Sequence, residues 1–204
     1  FKVIKTVLKS ANKMGLIDSN PMYNFDGAKK SRYAKKISLS IEQIRQIESL
    51  ELTVYSFDWY VQQAFLFSFY SGGIRFGDLC CLKWDNIVDE KLVYTMNKNE
   101  KTFSMKLTDS QWNILVRMDD SSKYIFPFLN ESKDYSDPII LRRAIGSRNA
   151  QVNGKKTKAN ETGLKKIALL ADIDENISFH VSRHSFAQYA IDNDIPLPKL
   201  MVAL

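Results

Sequence analysis

The sequence is short of cysteine, of acidic charge and of long apolar runs, and each shortage closes off a class of protein. Its only two cysteines, Cys80 and Cys81, are neighbours in the chain. Adjacent thiols cannot staple distant segments, so no disulfide framework is available and a reducing, cytoplasmic setting is expected. No apolar stretch approaches the roughly 20 residues that a membrane-spanning helix needs. No secretory leader is visible either, and no membrane partner is expected. Internal repeats and low-complexity tracts are missing, which argues against a repeat array. Acids are the minority charge: 23 Asp and Glu face 29 Lys and Arg, for a net charge of +6. That balance permits a polyanionic partner without demonstrating one. What is present is a globular composition, 45% hydrophobic and 25% charged over 204 residues, enough for one domain or a domain plus a fragment.

Along the chain, Phe1, Ile4, Leu8 and Ala11 recur at helical spacing until Gly15 and the run Asp18-Ser19-Asn20-Pro21 stop the pattern. A lone amphipathic helix needs a partner, so residues 1–28 are read as the last helix of a truncated upstream domain. Residues 29–36 bring Lys29, Lys30, Arg32, Lys35 and Lys36 without an acid, which suits a linker lying on phosphates or one that is merely solvated. Ser40 with Gln43 forms a capping box ahead of Ile41, Ile44 and Ile47, so a new domain opens there and is taken as residues 37–204. Trp59 to Tyr70 is apolar apart from Gln62, Gln63 and Ser68 and predicts a helix buried on most sides. Residues 92–96 and 102–107 alternate as two strands around a polar turn, with Ile87-Val88 as a third. Thr108 with Gln111 caps a helix carrying Trp112, Leu115 and Met118, and Asp137-Pro138 starts another. Further helices are expected over roughly 160–171, 178–192 and from 197 onward. The expected fold is mainly α with one small antiparallel β-sheet, an α+β domain.

Two stretches hold chemistry. In the first, Ser71-Gly72-Gly73 ends the buried helix, and Ile74, Leu79, Leu82 and Trp84 follow at roughly helical spacing. Arg75 then stands at a helix N-terminus, beside glycines that let a backbone or a phosphate approach closely. Taken alone, Arg75 and Asp78 make an ordinary i,i+3 ion pair on a helix surface.

In the second stretch, Ser178 to Ala187, lie both histidines of the protein, His180 and His184, with Arg183 between them. On a helix these three share one face, while Phe179, Phe186 and Ala190 pack inward. The i,i+4 histidines have the spacing of a zinc pair, but no glutamate follows the first and no third ligand cluster occurs elsewhere. A polar helix face is the plain alternative.

Gly73-Ile74-Arg75-Phe76-Gly77-Asp78-Leu79, continuing to Leu82 and Trp84, resembles the first-arginine signature of the tyrosine recombinases, the phage-integrase family. His180-Val181-Ser182-Arg183-His184-Ser185-Phe186-Ala187 resembles the same family's His-x-x-Arg motif. The resemblance covers about residues 37–204, and chain order supports it. Arg75, a hairpin lysine and then His180 with Arg183 follow the family's sequence of motifs. Matching residues 103–107 to the second hairpin strand puts Lys98 at the family's lysine, with Lys101 as competitor. The resemblance is to integrases of prophages or conjugative transposons, and it implies a site-specific recombinase, bacterial or phage-encoded, acting through a 3′-phosphotyrosyl link. It implies catalytic roles for Arg75, Lys98, His180 and Arg183, a supporting role for Asp78 in orienting Arg75, and DNA contacts by the basic linker. It makes residues 1–28 part of a core-binding, DNA-clamping domain.

The chemistry suits the residue types. A phosphodiester gathers charge on its non-bridging oxygens as it is attacked, and guanidinium forks hold such charge bidentately. A lysine can protonate the departing 5′ oxygen, and a histidine can assist. No metal or other cofactor is implied, because arginines do the electrostatic work. The expected partners are double-stranded DNA and further copies of the chain, as a tetramer. The departure lies in the nucleophile: Tyr189 is on the same helix as Arg183 and only six residues past it, so no tyrosine of this chain takes the role and one is expected beyond residue 204. The chain is therefore read as incomplete and inactive alone. Alternatives are a type IB topoisomerase and an inert DNA-binding protein of the same fold.

Overall fold

The computed structural model describes residues 2–23, 37–97, 100–155 and 161–195. The chain divides into two compact units, Phe1–Lys36 and Ile37–Leu204. The first contains α1 (Lys2–Lys13), on which Leu8 and Ala11 are half-buried while Val3, Ile4 and Val7 are exposed. The expected basic linker, Lys29, Lys30, Arg32, Lys35 and Lys36, lies outside the described residues, as does the expected helix from 197.

The second unit is organised around α3 (Phe57–Tyr70). Ser56 caps it by accepting the Trp59 N–H at 3.2 Å, and every residue from Val61 to Phe69 is buried. A helix apolar on all sides must be covered on all sides. Here α2 (Ile41–Glu48), α4 (Phe76–Cys80), α5 (Asp109–Leu115), α7 (Leu164–Leu170) and α8 (Phe179–Asp192) surround it. The two buried glutamines that interrupt the apolar run are satisfied: Gln62 donates to the Ile47 and Leu50 carbonyls at 2.7 and 2.9 Å, sealing the end of α2, and Gln63 donates to Gln62 Oε1 at 2.9 Å. The capping box at Ser40 forms as its sequence predicts. So does the start of α6 (Pro138–Asn153), where Asp137 accepts the Ile139 N–H.

The sheet is three-stranded and antiparallel, β1 (Ile87–Val88), β2 (Lys91–Thr95) and β3 (Thr102–Lys106) in that order. Tyr94 stands opposite Phe103 and Thr95 opposite Thr102. With a period of two, Leu92, Tyr94 and Met96 form the buried face.

Three elements are shorter than their patterns suggest. The helix after Arg75 is α4 alone, five residues, because Asn86 accepts the Lys83 N–H at 2.8 Å and draws Trp84–Asn86 into a 3₁₀ turn. Leu82 and Trp84 therefore lie beyond the helix they seemed to continue. The α5 helix ends before Met118, which is buried from the following turn. The helix expected from 160 begins only at Leu164, since Gly163 has φ +56° and its α-carbon approaches the Gln151 and Val152 carbonyls too closely for a side chain. No described helix is long and apolar enough to cross a membrane.

Candidate active site

The turn that ends α3 is where distant parts of the chain meet. Gly72 and Gly73 both have positive φ, +74° and +80°, and the Gly73 N–H donates to the Ser68 carbonyl at 2.7 Å. The hydroxyls of Ser68 on α3 and Ser182 on α8 lie 2.8 Å apart. Ser68 also reaches the Ile74 carbonyl at 2.9 Å and Ser182 the Phe179 carbonyl at 2.7 Å. This buried polar knot fixes the turn against α8.

One residue past Ser182, Arg183 is 9% exposed. It donates from Nη1 to the Gly73 carbonyl at 2.5 Å, across 110 residues of sequence. A β-carbon placed on Gly73 would fall 2.7–2.9 Å from Cγ, Cα and Cβ of Arg183. Residue 73 is thus glycine twice over, for its φ and for the arginine that occupies the space of its missing side chain.

Arg75 is the N-cap of α4, in extended conformation and half-buried. Its Nη1 donates to the Met96 thioether at 3.6 Å. Asp78, only 4% exposed, accepts the Asn97 N–H on Oδ1 at 2.9 Å. Its Oδ2 is buried and has no hydrogen-bond partner among the described residues. A surface ion pair between Arg75 and Asp78 is therefore not what the fold builds, because the carboxylate is interior.

The charges of this cluster feel one another. Burial pushes the Asp78 carboxyl above its usual range, against the Asn97 amide and the Arg75 charge, which pull it down. Burial, and then the neighbouring Arg75 charge, lower the pKa of Arg183, with Tyr94 and Asp78 opposing. A guanidinium starts from so high a value that it keeps its charge. Burial likewise raises the Tyr94 phenol, and both arginines pull it back. Two guanidiniums, a carboxylate and a phenol thus share one partly desolvated spot, where electrostatic interactions are stronger than in water.

The histidines divide differently from the sequence expectation. His180 is exposed and His184 half-buried, with ring centroids 4.4 Å apart in an edge-on arrangement, whereas Arg183 turns inward to Gly73. No group of three or more His, Cys, Asp or Glu able to hold a metal occurs among the described residues. A cleft of about 230 Å³ is lined by Arg75, His180 and Arg183, with Asn149 and Asn153 from α6. A second cleft of about 370 Å³ brings Arg75 and Asp78 together with Asn97 and Arg142. Arg75 borders both.

Lys98 lies outside the described residues. The hairpin around it is described: Met96 donates to the Lys101 carbonyl, and Glu100 to the Met96 carbonyl, both at 2.9 Å. Lys101 is exposed. The structure therefore brings Arg75, Asp78, His180 and Arg183 together and sets the end of β2 against Asp78. Sequence reasoning missed Tyr94, Met96, Asn97 and the Ser68–Ser182 pair. The alternation of Leu92, Tyr94 and Met96 marks a buried face, but nothing in it says that this face meets the arginines. Tyr189 packs edge-on against Phe69 at 5.9 Å.

A family model described as the phage integrase family matches residues 39–204. No curated protein sequence matches the chain. Among solved structures, a lambda integrase dimer bound to a COC′ core site superposes with a TM-score of 0.63 and 16% identity, over 100% of this chain and 68% of that one. A lambda integrase tetramer bound to a Holliday junction gives 0.62 and 16%, over 100% and 56%. The integrase of the Tn1549 transposon, in complex with circular intermediate DNA, gives 0.51 and 14%, over 98% and 67%. In the tetramer the chain spans little more than half of the matched protein. At these identities the likeness is one of fold: mainly helical, with a small antiparallel sheet.

Proposed function

The chain belongs to the phage integrase family, the tyrosine recombinases, and from that premise we propose that it is the catalytic part of a site-specific DNA recombinase that breaks and rejoins strands through a 3′-phosphotyrosyl intermediate. The observation that supports it best is the meeting of Arg75 and Arg183 at one cleft, with Arg183 anchored on the Gly73 carbonyl.

In this reading a tyrosine hydroxyl gives up its proton, to His180 or to water, as its oxygen attacks phosphorus, and the 5′ oxygen departs with the electrons of the broken P–O bond. The two guanidiniums hold the non-bridging oxygens as negative charge builds there. Lys98 gives its proton to the 5′ oxygen, leaving a hydroxyl, and His180 at the mouth of the cleft assists proton transfer or holds a phosphate oxygen. Rejoining reverses each step, with a 5′ hydroxyl from a partner strand displacing the tyrosine. The energy of the broken bond stays in the link, so no nucleotide is consumed, and no metal is called for. The attacking tyrosine is assigned to sequence beyond Leu204. Tyr189 is committed to Phe69, and Tyr94 is a buried member of the arginine cluster. We assign residues 1–28 to a core-binding domain, 29–36 to a phosphate-tracking linker and 37–204 to the catalytic domain. The partners are duplex DNA and three further copies, as in the lambda integrase tetramer on a Holliday junction, in a bacterial or phage-infected cytoplasm.

The test is a nicked duplex that traps the covalent step, incubated with the complete protein. A protein–DNA adduct through tyrosine at a 3′ phosphate is expected, lost in Arg183→Ala while gel-shift binding persists. Binding without any adduct makes the protein an inert DNA-binding module, and monomeric supercoil relaxation without strand exchange makes it a topoisomerase. Residues 1–204 alone should bind and form no adduct; an adduct there would place the nucleophile inside them.

A further inference from the structure

The role expected of Asp78 was to orient Arg75, yet its observed hydrogen bond goes elsewhere. Its Oδ1 accepts the N–H of Asn97, at 2.9 Å, and Asn97 is the residue immediately before Lys98. One residue earlier, the Met96 thioether accepts from Arg75 Nη1 at 3.6 Å. The first turn of α4 therefore grips the end of β2 at two consecutive residues, once through a carboxylate on a backbone amide and once through a guanidinium on a thioether.

Acceptor strength favours the carboxylate as the main grip. A carboxyl or amide oxygen is a good acceptor for a backbone N–H, whereas a thioether is a weak one. Asp78 is 4% exposed and Met96 6%, so both acceptors are largely shielded from water. Asn97 itself is exposed. Side-chain alternation adds a directional constraint: Tyr94 and Met96 face the core, which fixes the pleat, and the amide bond at Asn97 fixes where the strand ends.

We infer that Asp78 is a positioning residue for the β2–β3 hairpin, setting the place from which Lys98 delivers its proton, and not the orienting partner of Arg75. This rests on the lysine reading of the proposed function, and a displaced proton donor is costly because a misplacement of about 1 Å can lower a rate roughly 100-fold.

Two substrates and three variants of the complete recombinase test it. DNA with sulfur at the bridging 5′ position leaves as a thiolate and needs no proton from the enzyme. Asp78→Ala removes the acceptor, whereas Asp78→Asn keeps an oxygen able to accept from Asn97 while removing the charge that would orient Arg75. Asp78→Ala is expected to cleave normal DNA about 100-fold slower than wild type and sulfur-bridged DNA at nearly the wild-type rate. Asp78→Asn should stay close to wild type on both. Lys98→Ala serves as the control for the underlying reading and should also be rescued by sulfur. If Lys98→Ala is rescued and Asp78→Ala is equally slow on both substrates, Asp78 serves Arg75 and the inference falls while the mechanism stands. If Lys98→Ala is not rescued, the proton donor is misassigned and the inference falls with it. Should Asp78→Ala fail to fold, Asp78→Asn decides, since a variant slow on both substrates marks the charge on Arg75 as what matters.

Discussion

Arg183 occupies the place where a side chain on residue 73 would stand, and this makes Gly73→Ala a sharper probe of the site than many direct substitutions. The added methyl meets three atoms of Arg183 below 3.0 Å at a φ of +80°, so it should destabilise by about 1–3 kcal/mol and displace the guanidinium. Thermal melting reads the first effect and covalent trapping the second; a melting loss with full trapping would mean that Arg183 does not need its anchor. Arg75→Lys tests geometry with charge held constant. One ammonium cannot replace a planar fork, and the loss of such a transition-state contact is expected to slow cleavage roughly 100- to 1000-fold, with DNA affinity less affected. Equal and small losses in both would reduce Arg75 to a binding contact. Asp78 adds a stability signature. Because burial raises its folded pKa, the native state holds the proton more tightly than the unfolded chain, and stability falls as pH rises from the unfolded value through the folded one. Asp78→Asn should therefore be at least as stable as wild type at neutral pH. That advantage should shrink as the solution is acidified below the ordinary carboxylate range, as urea titrations across pH would show.

At the scale of elements, α8 is held at both sides of Arg183 by serines. Ser182 meets Ser68 of α3, and Ser185 accepts the Leu39 N–H at 2.8 Å across 146 residues of sequence. The second bond ties the segment that leads into α2 directly to the helix bearing His180 and Arg183. Ser185→Ala leaves a buried amide without its acceptor and is expected to cost about 1–3 kcal/mol, measurable by chemical denaturation. A cost near zero would mean that water replaces the hydroxyl. Apolar contacts work in parallel, since Phe179 packs against Phe65 and Phe76 with ring centroids at 6.3 and 4.9 Å. The position of α8 thus rests on the serine hydroxyls and on aromatic packing together.

For the molecule as a whole, the net charge of +6 becomes informative only in combination with a candidate site for phosphate. Each phosphate contact that displaces a counterion adds about 0.9 to the slope of log affinity against log salt on duplex DNA. Replacing Lys29, Lys30, Arg32, Lys35 and Lys36 together by glutamine should therefore flatten that slope by about 4 to 5, if all five lie on phosphates. Filter binding across a salt series measures it, and an unchanged slope would return these residues to solvent.

Elements with a local cause were legible in the sequence: the capping boxes at Ser40 and Thr108, the Asp137-Pro138 start of α6 and the alternating strands. The motif residues Arg75, Asp78, His180 and Arg183 could be singled out from their types and spacing, and the structure gathers them around two adjoining clefts. Where elements end was less so, since Trp84 and Met118 are apolar at helical spacing whether or not a side-chain cap or a turn has already broken the helix. Tertiary structure alone decided what the site residues do to one another. Helical periodicity placed Arg183 with the histidines, but the vacancy at Gly73 drew it inward. Sequence spacing offered Asp78 to Arg75 at i,i+3, but burial and the nearby Asn97 amide gave the carboxylate a different partner. Tyr94 and Met96 entered the site only because the end of β2 meets Arg75 and Asp78 at the start of α4. Contacts of this kind join residues far apart in the chain, and no local pattern records them.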